Sequence, residues 1–408
     1  MKKFAALMLA ILLMGGGTAM AEYTGEAWYA EALEASVIRT GNNLRLKKVL
    51  ERAGRGEAIT IATVGGSITE GAAASRYEEC WASRFAVLFG TAYGAEGGAG
   101  VTLLNSGVGG TPSPFGYMRY GRDILGRIPQ EDPDGYPDLV VIEYAVNDWA
   151  EPTGCRCYES MVKEILQQPN EPAVILLFSV RNDGWNVQDE LQKIGERYDL
   201  TMVSIRDGIY PHLDKDYPKA RFYKDEYHPN SEGHRMMADA LMAAVKKAAE
   251  APAAGKDMDM DVEPVYGTDF MGLQTLYGEG GTDGMEGITL ERGSFDKSDK
   301  TTYSNKPVGQ VCGKNFCHGL DSGAEPLRIC GTFSKCLIAW KAASEAVYGS
   351  AEVLVDGKPA ALLQGGKGKW GQSEVVLVLD EKEAAEHTVE IRVREEGKRF
   401  TVTAVSIR

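Results

Sequence analysis

The sequence predicts an α/β domain with a three-layer, doubly wound parallel sheet, followed by a C-terminal all-β sandwich of jelly-roll type. Three observations lead there. Between residues 58 and 250, short apolar runs alternate with stretches of helical periodicity, the pattern of repeated βα units. Residues 251–264 have low complexity and alternating charge and read as a linker. From 265 to 408 helical periodicity largely disappears, and short strand-like runs are separated by turn residues. A chain of 408 residues has room for two or three such units, each with its own core.

The elements follow in order. Lys2 and Lys3 precede the apolar run Phe4–Met14, and Ala19-Met20-Ala21 is a small-x-small cleavage pattern. Residues 1–21 therefore read as a secretory signal peptide cut near Ala21, and the mature protein is expected to be secreted or periplasmic. No later segment has the length and apolarity of a membrane span. Residues 22–57 read as a helical lead-in, with Leu44, Leu46, Val49 and Leu50 forming an apolar face. Candidate parallel strands are Ile59–Val64, Val101–Asn105, Leu139–Tyr144, Val174–Phe178 and Met202–Ile205, short and apolar as strands covered on both faces should be. Between them, Trp81, Phe85, Leu88 and Phe89 share one helical face. Tyr158, Met161, Val162, Ile165 and Leu166 follow the i, i+3, i+4, i+7, i+8 rule, and Leu191, Ile194 and Tyr198 make a weaker stripe. A last helix carries Met236, Met237, Leu241 and Val245, with Ser231 as its cap. In the β region, Cys336–Trp340, Ala351–Val355, Glu374–Leu379, Thr388–Val393 and Phe400–Ile407 read as strands. Asp356-Gly357 is a hairpin signal there, and Gly365–Gly371 is a glycine-rich loop.

Composition narrows the function. A formal net charge of −14 argues against a polyanion such as a nucleic acid as partner. Export permits disulfides among the seven cysteines, and Cys312 with Cys317 and Cys330 with Cys336 are plausible local pairs. A zinc site at Cys155-Arg156-Cys157 or Cys312…Cys317-His318 is the rival reading, but neither has paired Cys-x-x-Cys spacing.

The chemistry gathers at the ends of the predicted parallel strands, where open α/β sheets place their sites. Ala58–Val64 breaks into Gly65-Gly66-Ser67, a turn that would leave the Ser67 hydroxyl in the open. An ordinary strand-to-helix turn with a capping serine would look the same, so the partners decide. A serine nucleophile needs a base, an orienter for that base and donors for the developing oxyanion. Asp225-Glu226-Tyr227-His228 lies after the fifth strand and before the last helix, so His228 would come to the same sheet edge, with Asp225 three residues before it. Only five histidines occur, and neither His212 nor His234 has a comparable carboxylate at this spacing. Asn105–Thr111 supplies glycines behind the second strand that can aim a backbone N–H at a ligand. Asn147 behind the third strand can donate through its side-chain amide.

Together these blocks resemble the SGNH (GDSL-type) hydrolase superfamily over residues 58–248. Gly65–Thr69 looks like its nucleophile block, Asn105–Thr111 its glycine block, Val146-Asn147-Asp148 its asparagine block, and Asp225–His228 its Asp-x-x-His block. The resemblance implies an SGNH/flavodoxin-like fold and a Ser-His-Asp mechanism with Ser67 as nucleophile, His228 as base and then acid, and Asp225 as orienter. It further implies an oxyanion hole from the N–H groups of Ser67 and Gly110 and the side chain of Asn147. Gly110 aligns with the last glycine of the family's Asn-x-Gly-x-x-Gly pattern, with Gly107 and Gly109 as alternatives. The family usually has Asp before the nucleophile, where this chain has Gly66; related esterases with Gly-Gly-Ser are known in the superfamily.

The two-domain plan resembles carbohydrate acetylesterases. The expected activity is removal of short acyl groups, acetyl above all, from a polysaccharide or oligosaccharide, with no metal and no organic cofactor. Trp149, Tyr117, Arg181, Asn182 and Trp185 fall in loops that could line a sugar site. Trp340, Tyr348 and Trp370 are the aromatics through which the β-sandwich could bind glycan, although Trp340 reads better as sheet core. The alternatives are a lipolytic esterase or lysophospholipase on the same machinery, and a non-catalytic glycan-binding protein. Intact Ser67, Asp225 and His228 speak against the last.

Overall fold

The computed structural model describes residues 23–128, 135–282, 284–303 and 312–408. The expected signal peptide lies outside the described residues. The chain begins with α1 (Ala27–Ser36), β1 (Val37–Arg39) and α2 (Leu44–Gly54). The α/β units follow: β2 (Ile59–Gly65), α3 (Ser67–Glu70), α4 (Trp81–Tyr93), β3 (Val101–Asn105), α5 (Ser113–Asp123), β4 (Leu139–Glu143), α6 (Arg156–Leu166), β5 (Ala173–Phe178), α7 (Gln188–Arg197), β6 (Thr201–Ser204) and α8 (Ser231–Glu250).

The sheet order is β1-β6-β5-β4-β2-β3, with β2 to β6 all parallel. Counted from β2, this is the 2-1-3-4-5 order of flavodoxin-like folds. All five central strands stand within a residue or two of their expected bounds. The lead-in contributes more than helices, because β1 adds an antiparallel edge to β6. Such short edges carry too little apolar pattern to be read locally.

Alternate residues of each central strand feed two cores. Ile61, Leu139, Val141, Ile175 and Leu177 pack with Trp81, Phe85, Phe89 and Leu241 on one face. Val64, Val140, Ile142, Leu176 and Phe178 pack with Phe115, Tyr158, Val162 and Ile165 on the other. Helix α8 is capped by Asn230 rather than Ser231: its side chain accepts from the N–H groups of Glu232 and Gly233. Residue 230 holds the extended conformation an N-cap needs, while Ser231 is already helical.

Residues 251–264 lie along the α/β domain, where Asp257 pairs with Arg45 and Met258, Met260 and Val262 pack on its second core. The β region contains β7 (Gln274–Leu276), β8 (Thr289–Glu291), β9 (Phe316–His318), β10 (Leu327–Ala343), β11 (Ser350–Val355), β12 (Lys358–Gln364), β13 (Trp370–Val393) and β14 (Phe400–Ile407), all antiparallel. The two expected strands Glu374–Leu379 and Thr388–Val393 are one long strand, β13. It pairs with β10 along its length and slips register between Phe333 and Lys335. The two halves of this long pair pack around one core, in which Ile329, Ile338, Val389 and Val405 meet. The Asp356-Gly357 turn joins β11 to β12 with both residues at positive φ, 53° and 75°, as a type I′ hairpin requires.

The second face of β10 does different work. Leu337 and Ala339, with Ala404 of β14, join the α/β core against α5 and α6. Tyr277 donates to the carbonyl of Met118 at 2.7 Å, and Arg156 bridges Asp269 and Asp380. The β domain is therefore seated on the α/β domain beside the ends of its strands.

All seven cysteines are free thiols, so neither expected disulfide is present. Cys330 and Cys336 lie six residues apart on one strand. That spacing of about 20 Å is far beyond disulfide reach.

Candidate active site

Strand β2 delivers the chain to Gly65, where no side chain fits: a Cβ there would stand 2.0 Å from Thr69 Oγ1 and 2.6 Å from the Glu143 carbonyl. Gly66 caps the single turn α3, and Ser67 is its first residue. Gly71, in the left-handed conformation at φ 100°, closes the turn. Beneath it the buried Glu143 accepts from Thr69 Oγ1 at 2.8 Å and from Ser179 Oγ. Burial pushes the Glu143 carboxyl up despite these two donors.

The loop before α8 brings His228 over this turn. The N–H of Lys224 donates to the carbonyl of His228 at 2.9 Å, folding residues 225–227 outward. His228 Nε2 stands 2.9 Å from Ser67 Oγ. Its Nδ1 lies 2.9 Å from each oxygen of Asp225. Asp225 Oδ1 also accepts the N–H groups of Tyr227 and His228. Burial raises the Asp225 carboxyl, but the donors from His228 and the two backbone groups outweigh it and hold the group below its ordinary value. It is thus an ionised carboxylate facing His228 Nδ1, the arrangement that can orient an imidazole.

Asn105 at the end of β3 ties the glycine loop to the nucleophile turn. Its Nδ2 donates to the Thr69 carbonyl at 2.7 Å and its Oδ1 accepts the Gly107 N–H at 2.8 Å. Gly107 is packed too closely on Thr69 and Glu70 for a side chain and does not line the cleft. The Gly109 N–H donates to Glu70 Oε2 at 3.2 Å. Gly110, at φ 70°, lines the cleft with Ser67. Asn147 closes the other side, its amide so near Gly66 that a Cβ there would lie 2.2 Å from Oδ1. Asp148 is buried below it. Its Oδ1 accepts the Ser113 N–H at 2.8 Å, and burial pushes its carboxyl up to about 8.

These groups open into a cleft of about 1040 Å³. Trp149 (72 % exposed), Arg181 and Trp185 line it. Tyr117 does not. It is buried on α5 with its hydroxyl on Glu164, because the helix turns it inward toward Phe270. Asn182 stands behind the wall, bracing the histidine loop through its N–H to the Glu226 carbonyl. Of the β-domain aromatics, Trp370 (59 % exposed) lines the cleft, Tyr348 is buried on Lys341 and Asp299, and Trp340 is half-buried in the sheet. Sequence reasoning missed Glu70, Tyr227, Tyr303 and Gln372, which also line it. The glycine-rich loop before β13 was the available signal for Gln372, whereas Tyr303 sits in a stretch without pattern. Among the described residues no group of three or more His, Cys, Asp or Glu side chains could hold a metal ion.

A doubly wound sheet that presents a serine, an imidazole and a carboxylate in hydrogen-bonded sequence within an open cleft defines a class, and this protein is a carboxylic ester hydrolase. Its residues 63–236 match the model of the GDSL-like Lipase/Acylhydrolase family. The two-domain chain is similar to a two-domain esterase (CEX) active on acetylated mannans. The crystal structure with mannopentaose is 25% identical over 92% of this chain and 97% of that one, with a TM-score of 0.76. A second structure of a two-domain esterase of that description gives the same identity and coverage and a TM-score of 0.77. No curated protein sequence matches the chain.

Proposed function

We propose that this protein is an exported serine esterase that removes acetyl groups from a plant-type polysaccharide, with acetylated mannan the first substrate to test. The observation that carries the reading is the Ser67–His228–Asp225 relay, at 2.9 Å per step, in a cleft walled by indoles from both domains. Ser67 Oγ attacks the acetyl carbonyl carbon while its proton passes to His228 Nε2. The charge that develops on the carbonyl oxygen is met by the N–H groups of Ser67 and Gly110 and by the Asn147 amide. Collapse breaks the ester bond, His228 returns the proton to the departing sugar oxygen, and acetyl-Ser67 remains. Water, deprotonated by His228, then releases acetate and restores Ser67.

Trp149, Arg181, Trp185 and Trp370 offer flat faces and a cation suited to sugar rings. The charged groups Asp183, Lys341, Glu345 and Lys369 in the same lining suit a long acyl chain poorly. The exported reading rests on Lys2–Ala21 in the sequence; among the described residues no helix is long and apolar enough to cross a membrane.

The test is acetate release by the mature protein from acetylated mannan, xylan and pectin, beside 4-nitrophenyl esters from acetate to laurate, with Ser67→Ala as control. Ser67-dependent release from a polysaccharide, with a sharp fall beyond short chains, is expected. A preference for laurate would replace the reading with a lipolytic one. No Ser67-dependent release from any substrate would leave glycan binding without catalysis.

A further inference from the structure

The peptide between Gly109 and Gly110 is held by the accessory domain. Tyr303 Oη accepts the Ser373 N–H at 2.7 Å, which fixes the hydroxyl, and donates to the Gly109 carbonyl at 3.4 Å. One residue on, Gln372 Nε2 donates to the Gly110 carbonyl at 3.3 Å. From the α/β side, Glu70 Oε2 takes the Gly109 N–H. Of the four backbone polar groups of Gly109 and Gly110, three are thus engaged, and the fourth, the Gly110 N–H, has no partner among the described residues. In a trans peptide the C=O and N–H point in opposite directions. A hydroxyl that holds the Gly109 carbonyl on one side therefore turns the Gly110 N–H to the other. The fit is also steric: a Cβ on Gly110 would meet Trp370 Cζ2 at 2.9 Å and Gln372 Cβ at 3.2 Å, so the loop is pressed against the β domain with no slack.

From this geometry we infer that Tyr303 and Gln372 are positioning residues for catalysis: the β domain sets the orientation of an oxyanion donor that belongs to the α/β domain. The inference rests on the esterase reading above and goes beyond it, since it makes the second domain part of the chemistry as well as part of the cleft. Neither side chain need touch the reacting atoms. Both bonds are long, so each is expected to tune the donor rather than create it. A displacement of about 1 Å in a catalytic group can cost a hundredfold, and losing one of two such restraints should cost less, about tenfold in kcat. The interaction matters in the transition state only, so KM should not move.

The experiment compares wild type, Ser67→Ala, Tyr303→Phe and Gln372→Ala on 4-nitrophenyl acetate, an ester with no sugar to contact the β domain. Far-UV circular dichroism and the thermal midpoint report folding. A fall of about tenfold in kcat at constant KM is expected for both variants, and a larger fall for the pair. Tyr303→Phe keeps the ring and removes only the hydroxyl. Should it fail to fold, the half-buried Gln372→Ala carries the test alone. Unchanged kinetics, or a raised KM at constant kcat, overturn the inference and leave the esterase reading intact. Absence of Ser67-dependent hydrolysis in the wild type overturns both.

Discussion

Replacing Gly66 by alanine tests the proposed oxyanion hole without replacing any of its donors. The backbone there has φ −89°, which does not demand glycine, so the substitution brings little conformational strain. What it brings is a methyl group 2.2 Å from Asn147 Oδ1, 2.6 Å from Cγ and 2.7 Å from Nδ2. Comfortable contact lies near 3.5 Å, so the amide must retreat by about 1 Å. Asn147 ends in a short side chain at an open cleft, so the protein absorbs this for about 1–2 kcal/mol of overpacking at most. Catalysis does not absorb it, because a donor displaced that far is worth little to the oxyanion. The expected loss is about a hundredfold in kcat on 4-nitrophenyl acetate, with KM near the wild-type value. Asn147→Ala should fall by about 10²–10³. Because both changes act through one amide, Gly66→Ala/Asn147→Ala should be no worse than Asn147→Ala alone. A double variant that loses the product of the two single factors, or Gly66→Ala at full rate, would refute the placement of that amide in the oxyanion hole.

Three further outcomes follow from buried groups. Burial drives His234 down from 6.5 to about 4, with its ring between the Trp81 N–H and the Ala72 carbonyl. The unfolded chain takes up that proton first as pH falls, so folding should lose up to about 3 kcal/mol between pH 6.5 and 4, and urea titrations of His234→Gln should lack that part of the slope. Asp148 shows the opposite linkage. Its carboxyl, raised to about 8, stays protonated in the folded state, so its stability contribution is complete at low pH and is lost as pH rises toward 8. Asp148→Asn should therefore be the more stable protein at pH 8, by about 5 kcal/mol at most, with the difference vanishing near the ordinary aspartate value. Lys341 Nζ lies 3.0 Å from Asp299 Oδ2 and 2.7 Å from Tyr348 Oη inside the β domain. Lys341→Met leaves Asp299 buried without its cation and should cost about 3–5 kcal/mol in urea unfolding; a neutral result would show that the pair is dispensable.

The periodicities of β2 to β6 and the helices between them were legible because both faces of that sheet are covered, and burial writes itself into sequence as apolar runs. Ser67, Asn147 and the Asp225–His228 pair were legible because each lies behind a different parallel strand, and a doubly wound sheet has one edge at which such positions meet. The sequence alone could not separate Gly109 from Gly110. That distinction depends on which N–H Glu70 occupies, a contact across the turn that leaves no periodic trace. Nor could it see that the expected strands 374–379 and 388–393 are one, since a long bent strand exposes its middle and interrupts its own pattern. Tyr117 misled for a related reason: its place near a strand end suggested the cleft, but α5 turns that position onto Phe270. Trp370, Gln372 and Tyr303 reach the site only because Leu337 and Ala339, on the second face of β10, seat the β domain on α5 and α6. That seating is a tertiary event between apolar surfaces. Sequence determined which residues could form the proposed acyl-transfer site, and packing decided which glycine N–H is left without a partner beside Ser67 and what stands across the cleft from it.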